Sequence, residues 1–98
     1  MSFVQIIEFK TQDIGPMQAT SDSWQKATEG KRTATSVVKT LDRDKPETYL
    51  WIIEFPSYEA AMRNNDLAET QEISKEMMKL AEGAPSFRNL DVMEEESL

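Results

Sequence analysis

Cysteine and histidine are both absent from this 98-residue chain. Without cysteine there can be no disulfide, no thiolate metal site and no thiol nucleophile, and the redox compartment cannot be read. Without histidine the chain lacks the commonest metal ligand and the commonest general base at neutral pH. A metal would have to be held by carboxylates alone. No clustered Asp/Glu spacing suits one, and Glu94, Glu95 and Glu96 belong to the C-terminal end. Neither a metal nor a cofactor is therefore expected. Long apolar runs are also missing: residues 49–53 form the longest, far short of the roughly 20 residues that span a bilayer. The apolar stretch near the N-terminus has no basic residues ahead of it and is interrupted by Gln5 and Glu8, unlike a signal peptide. The expectation is a cytoplasmic protein without a membrane partner. Basic residues are scarce too, 11 against 18 acidic, for a net charge of −7. Lys31-Arg32 is the one basic pair of note, so a nucleic-acid partner is not expected. The acidity reads as a solubility feature.

What is present is a globular composition, and the length suits one domain spanning residues 1–98. Its organising stretch is Tyr49-Leu50-Trp51-Ile52-Ile53-Glu54-Phe55. Alternation puts Tyr49, Trp51, Ile53 and Phe55 on one side and Leu50 and Ile52 on the other, the signature of a strand buried on both faces. Its last four residues, Ile52-Ile53-Glu54-Phe55, repeat Ile6-Ile7-Glu8-Phe9. Each copy is followed by a polar turn and then a helical pattern, which suggests two related strand-then-helix halves.

In chain order, a first strand is predicted over Phe3–Lys10. A helix over residues 16–29 follows Gly15, with Pro16 in its first turn and Gly30 as its stop. Its inward stripe is read as Met17, Thr20, Trp24 and Ala27. A Thr- and Val-rich strand over 33–41 leads through a charged turn to the central strand from Thr48, which Pro56 ends. Ser57 caps a helix over 58–64. Asn64-Asn65-Asp66 predicts a bend or short loop before the main helix over 67–82, whose stripe is Leu67, Thr70, Ile73, Met77 and Leu80. Gly83 and Pro85 stop that helix. A last strand over 87–93 and an acidic tail over 94–98 complete the chain.

The order strand, helix, strand, strand, helix, strand predicts an α+β, ferredoxin-like fold: a four-stranded antiparallel sheet with both helices on one face. The two central strands are apolar on both sides, so the uncovered face would leave a patch larger than a monomer normally exposes. A homodimer packed sheet to sheet follows as an expectation. Val4, Ile6, Leu50 and Ile52 are favoured for that interface, because the bulkier Phe3, Ile7, Trp51 and Phe55 suit packing under helices.

The chain resembles the dimeric α/β-barrel superfamily, which includes antibiotic-biosynthesis monooxygenases. It is most similar to a set of uncharacterised bacterial proteins with stretches like its residues 24–33 (WQKATEGKRT), 55–62 (FPSYEAAM), 69–71 (ETQ) and 87–92 (FRNLDV). The resemblance implies the fold and a sheet-to-sheet dimer forming an α/β barrel. It also implies that a ligand would lie between sheet and helices. Some members of that superfamily oxidise aromatic substrates without metal or cofactor. Others degrade haem in a pattern that uses a helix histidine, which this chain lacks.

Trp24 and Trp51 are the candidate pocket walls, with Tyr49 and Tyr58 supplying hydroxyls; the plainer reading is that these aromatics are core and interface filler. Arg32 is a candidate clamp for an anionic substrate, or else the partner of a surface carboxylate. Arg88-Asn89 is a candidate for contact with a ligand or the partner chain. Glu8 or Glu54, if buried, would gain a raised pKa and the character of a general base; otherwise each reaches water at a strand end or pairs with Lys10, Lys39 or an arginine. Two functions stay open: a protein that binds a small apolar or aromatic ligand without catalysis, or serves as an accessory, and a cofactor-independent, monooxygenase-like enzyme.

Overall fold

The computed structural model describes residues 2–98. The elements are β1 (Phe3–Lys10), α1 (Gly15–Ala27), β2 (Ser36–Leu41), β3 (Thr48–Phe55), α2 (Tyr58–Asn65), α3 (Ala68–Leu80) and β4 (Ser86–Asp91). The four strands make one antiparallel sheet in the order β2-β3-β1-β4. This is the ferredoxin-like arrangement, with the second helix divided in two.

The register explains the sequence repeat. Phe3 faces Phe55, Ile7 faces Trp51 and Phe9 faces Tyr49 across β1 and β3. All six therefore share one face, and helices cover it. In both repeat copies the second isoleucine and the phenylalanine point to the helices, while the first isoleucine and the glutamate point away. Phe3, Ile7, Trp51 and Phe55 are buried, whereas Val4, Ile6, Leu50 and Ile52 are half-buried on the open face. Val38 and Leu90, 55% and 43% exposed, extend that face onto the edge strands.

Between sheet and helices the apolar core forms two clusters. One joins Ile7, Phe9 and Trp51 to Met17 of α1 and Met77 of α3; the other joins Phe3 and Phe55 to Ala61 of α2. Ile53 packs against both.

Several element boundaries and one stripe differ from the sequence expectation. The buried stripe of α1 is Met17, Ser21 and Thr28, with Trp24 half-buried, whereas Ala27 is exposed. The spacing is thus four, three, four. Thr28 tolerates full burial at the C-cap because its hydroxyl donates to the Trp24 carbonyl at 2.7 Å. Thr20 instead bonds back to the Pro16 carbonyl at 2.9 Å. β2 begins at Ser36 rather than at 33, because Thr33 is tied to α2: its N–H donates to Asn64 Oδ1 and its hydroxyl to the Ala60 carbonyl. The break between α2 and α3 falls at Asp66 and Leu67, more than two turns beyond the Ser57 cap, whose Oγ accepts from Ala60 N–H at 3.1 Å. Helix α3 ends at Leu80, and Glu82 N–H then bonds the Lys10 carbonyl at 2.8 Å. β4 spans Ser86–Asp91, and residues 94–98 carry no regular structure. Among the described residues no helix is long and apolar enough to cross a membrane.

Candidate functional site

A cavity of about 580 Å³ lies between the sheet and the helices. Its position follows from one row of residues. Val37, Ile53, Gln5 and Asn89 stand side by side across β2, β3, β1 and β4, and all four line the cavity. On β1 this row interrupts an otherwise bulky inward set, Phe3, Ile7 and Phe9, with the polar Gln5. On β3 the same row carries Ile53, which packs against both core clusters. With strands about 4.8 Å apart, the row crosses about 14 Å of sheet. Trp51 and Ile7 supply the neighbouring row of the floor, and Trp24, Thr70, Ile73 and Met77 supply the roof.

The roof is pinned. Trp24 Nε1 donates to Thr70 Oγ1 at 3.0 Å, joining α1 to α3. Beside this bond Lys31 Nζ meets Glu69 Oε2 at 2.7 Å. That hydrogen bond, with the Glu69 backbone N–H as a second donor, holds the Glu69 carboxyl below the usual carboxylate range. Trp51 is 4% exposed and tightly held: Phe9 meets its ring edge-on at 5.2 Å and Lys39 Nζ sits 4.6 Å from its centroid.

Asn64 is the most constrained polar group of the site. It is 4% exposed yet lines the cavity. Its Oδ1 accepts the Thr33 N–H at 3.2 Å, which fixes which way the amide faces. Its Nδ2 group finds no acceptor among the described residues. No fully enclosed polar side-chain atom lacks a partner among the described residues, so this donor is not sealed into packed protein. Gln5 and Asn89 satisfy each other, Gln5 Nε2 donating to Asn89 Oδ1 at 3.2 Å.

Arg32 also lines the cavity, and its guanidinium lies 6.0 Å from the Trp24 ring centroid. Its Nη1 donates to the Gln25 carbonyl at 2.7 Å and lies 3.4 Å from Thr28 Oγ1. No carboxylate pairs with it among the described residues, so the expected alternative, a surface ion pair, is not what holds Arg32.

Of the five candidate ligand residues, the structure brings three together at the cavity: Trp24, Trp51 and Arg32. Tyr49 and Tyr58 lie elsewhere. Tyr49 shares the inward face but sits two residues towards the β2–β3 turn, where it stacks on Phe9 with centroids 5.7 Å apart. Tyr58 opens α2, exposed, with its ring edge-on to Phe3 at 5.5 Å. Neither hydroxyl lines the cavity, which corrects the expectation that they furnish its polar groups. Glu8 and Glu54 point to the open sheet face, and Glu8 pairs with Arg88 at 3.2 Å. Neither can act as a base in this cavity. Of the cavity's polar groups, Asn89 was a candidate from the sequence and does line the cavity, whereas Gln5 and Asn64 did not emerge from the motif reading. The signal for Gln5 is a single polar residue in an inward apolar set.

Comparison with known proteins places the fold. No protein-family model matches the chain, and comparison with curated protein sequences finds no match. Solved structures do match. A Caulobacter crescentus protein, provisionally named an antibiotic biosynthesis monooxygenase, superposes with a TM-score of 0.79 at 14% identity, over 95% of this chain and 91% of its own. A Mycobacterium tuberculosis protein gives 0.79 at 13% identity, over 99% and 100%. SnoaB, a cofactor-independent oxygenase from Streptomyces nogalater, gives 0.78 at 9% identity, over 96% and 95%. The chain therefore has the ferredoxin-like fold of antibiotic-biosynthesis-monooxygenase-like proteins. At these identities the likeness shows the fold alone.

Proposed function

We propose that this protein binds a small, flat, largely apolar ligand in the cavity between sheet and helices. The observation that carries the reading is Asn64: a buried amide, oriented by Thr33, with a donor unused by the protein, on a cavity that mixes polar side chains with apolar ones and has two tryptophans in its wall. A few fixed polar groups in an apolar hollow of this size are what orient a small ligand. The donor suits a carbonyl or phenolic oxygen. Tryptophan fluorescence, titrated with flat aromatic ketones, tests this. Asn64→Asp retains the acceptor for Thr33 N–H but replaces the donor, and should weaken a carbonyl ligand by about fivefold or more, since leaving the ligand oxygen unpaired inside such a site costs roughly 1–3 kcal/mol. Unchanged affinity would remove Asn64 from the reading.

A second reading, cofactor-independent oxygenation, is favoured by one comparison, the fold shared with an oxygenase so described. In such a reaction a ring methylene and dioxygen give a carbonyl and water. The substrate supplies all four electrons, one oxygen atom enters the carbonyl and the other leaves as water. The cavity lining contains no carboxylate, so the substrate must itself ionise easily, and Asn64 would hydrogen-bond the resulting oxyanion. Oxygen uptake with anthrone, against the Asn64→Asp variant, separates catalysis from binding.

We also propose that two copies pack open face to open face. Val4, Ile6, Leu50 and Ile52 are left half-bare by their own chain, and covering what remains of each gains a fraction of the roughly 1.5–3 kcal/mol that full burial from water is worth.

A further inference from the structure

We infer that the ligand carries a carboxylate and that Arg32 receives it; this rests on the cavity being a ligand site. Arg32 is the one ionisable side chain among the lining residues. It belongs to a chain with 18 acidic residues, yet none of the ion pairs among the described residues includes it. Its neighbour Lys31 takes Glu69, the carboxylate at the start of α3 on the same side of the cavity. Arg32 is left with neutral partners only: a carbonyl at 2.7 Å, a hydroxyl at 3.4 Å and the Trp24 ring.

Those partners hold the group without neutralising it. Both hydrogen bonds use Nη1, so the edge formed by Nε and Nη2 has no acceptor among the described residues. That edge offers two parallel N–H donors, the arrangement a carboxylate accepts as a bidentate pair. The platform is rigid, because Trp24 under the guanidinium is itself pinned to Thr70. A surface arginine without a role would be expected to wander in solvent or to find one of the many acids. This one is anchored at a cavity, charged, and with its carboxylate-matching edge free.

The test is a pair of isosteric probes, 2-naphthoate and 2-naphthamide, titrated against the intact protein by tryptophan fluorescence and calorimetry. Wild type should bind the carboxylate about tenfold or more tighter than the amide, as expected for hydrogen bonds to a charged group. Arg32→Met should erase that preference by weakening naphthoate and leave naphthamide within about twofold. Arg32→Lys, which keeps the charge but loses the fork, should fall between. Both variants sit at an exposed position, and thermal melts confirm their folding. If wild type binds the amide as tightly as the acid, or Arg32→Met leaves naphthoate unchanged, the carboxylate inference is overturned while the cavity reading stands. If neither probe binds wild type, both fall.

Discussion

The two tryptophans at the cavity should respond differently to truncation, and the difference can be worked from their surroundings. Trp51 is buried in the larger core cluster, flanked by Ile7 and Lys39 on the adjoining strands and by the edge-on ring of Phe9. Trp→Ala in such packing costs about 3–5 kcal/mol from lost burial and a residual void. In a domain whose total stability is roughly 5–15 kcal/mol, that is a large share. With about 4–8 °C of melting temperature per kcal/mol at this size, Trp51→Ala should melt at least about 12 °C lower. Trp24 is half-buried and lines the cavity. Its truncation removes one hydrogen bond, worth about 0.5–1.5 kcal/mol net, and an exposed cation–π contact worth about 0.5–1 kcal/mol. A loss of about 1–2.5 kcal/mol from these two contacts is expected, together with the loss of ligand response. Urea unfolding followed by circular dichroism measures both, with the midpoints compared at equal m-values. If Trp24→Ala destabilises as much as Trp51→Ala, Trp24 is core and the cavity has no tryptophan roof.

Three further outcomes are expected. Ile52→Asp places a charge on the open sheet face; a sheet-to-sheet dimer would bury it unpaired at a cost of several kcal/mol, so sedimentation should show the variant monomeric or unfolded, and a wild type already monomeric at micromolar concentration would end the dimer proposal. Glu47 sits at φ +63° in the β2–β3 turn, a left-handed conformation that costs a side chain about 1–2 kcal/mol; Glu47→Gly should raise stability by up to about 1 kcal/mol in a urea titration, the gain being trimmed by the freer unfolded chain. Glu69 has its folded-state pKa lowered by Lys31, so the stability it contributes is present above the ordinary carboxylate pKa and is lost as pH falls through the lowered value; wild type and Glu69→Gln should therefore differ in stability at neutral pH and converge in acid.

The sheet was legible because its signals are redundant. β1 and β3 carry apolar residues on both faces, and Pro56 closes β3, so their bounds, Phe3–Lys10 and Thr48–Phe55, could be read directly. The preference of Phe3, Ile7, Trp51 and Phe55 for the helix side held because bulk belongs where helices press. The α1 stripe was off by one at two positions because Ser, Thr and Ala carry little periodic signal. Ser21 and Thr28 are buried while Ala27 is exposed, and the Thr28 hydroxyl is satisfied by a carbonyl of its own helix, which hydropathy does not show. For the tyrosines, alternation gives the face but not the position along the strand. Tyr49 is on the cavity side of the sheet and still outside the cavity. Asn64 was legible only as a helix-ending residue, since its value lies in Thr33, which is 31 positions away.

Gln5 connects the fold to the site. A leucine or isoleucine there would extend Phe3, Ile7 and Phe9 into a continuous inward face, and full burial of such a side chain is worth roughly 1.5–3 kcal/mol. The chain forgoes that and places an amide, which Asn89 on the neighbouring strand satisfies. A lone glutamine under packed helices would be a liability; Gln5 at the floor of an open row is not, because its amide faces the cavity and has a partner. The same row floors the cavity of about 580 Å³ beneath the helices. A domain this small has little stability to spare. A cleft under its helices, floored by one polar residue on its most apolar pair of strands, is where local consistency gives way, and departures of that kind are expected at functional sites. That argument favours a ligand site over imperfect packing, independently of any likeness to other proteins.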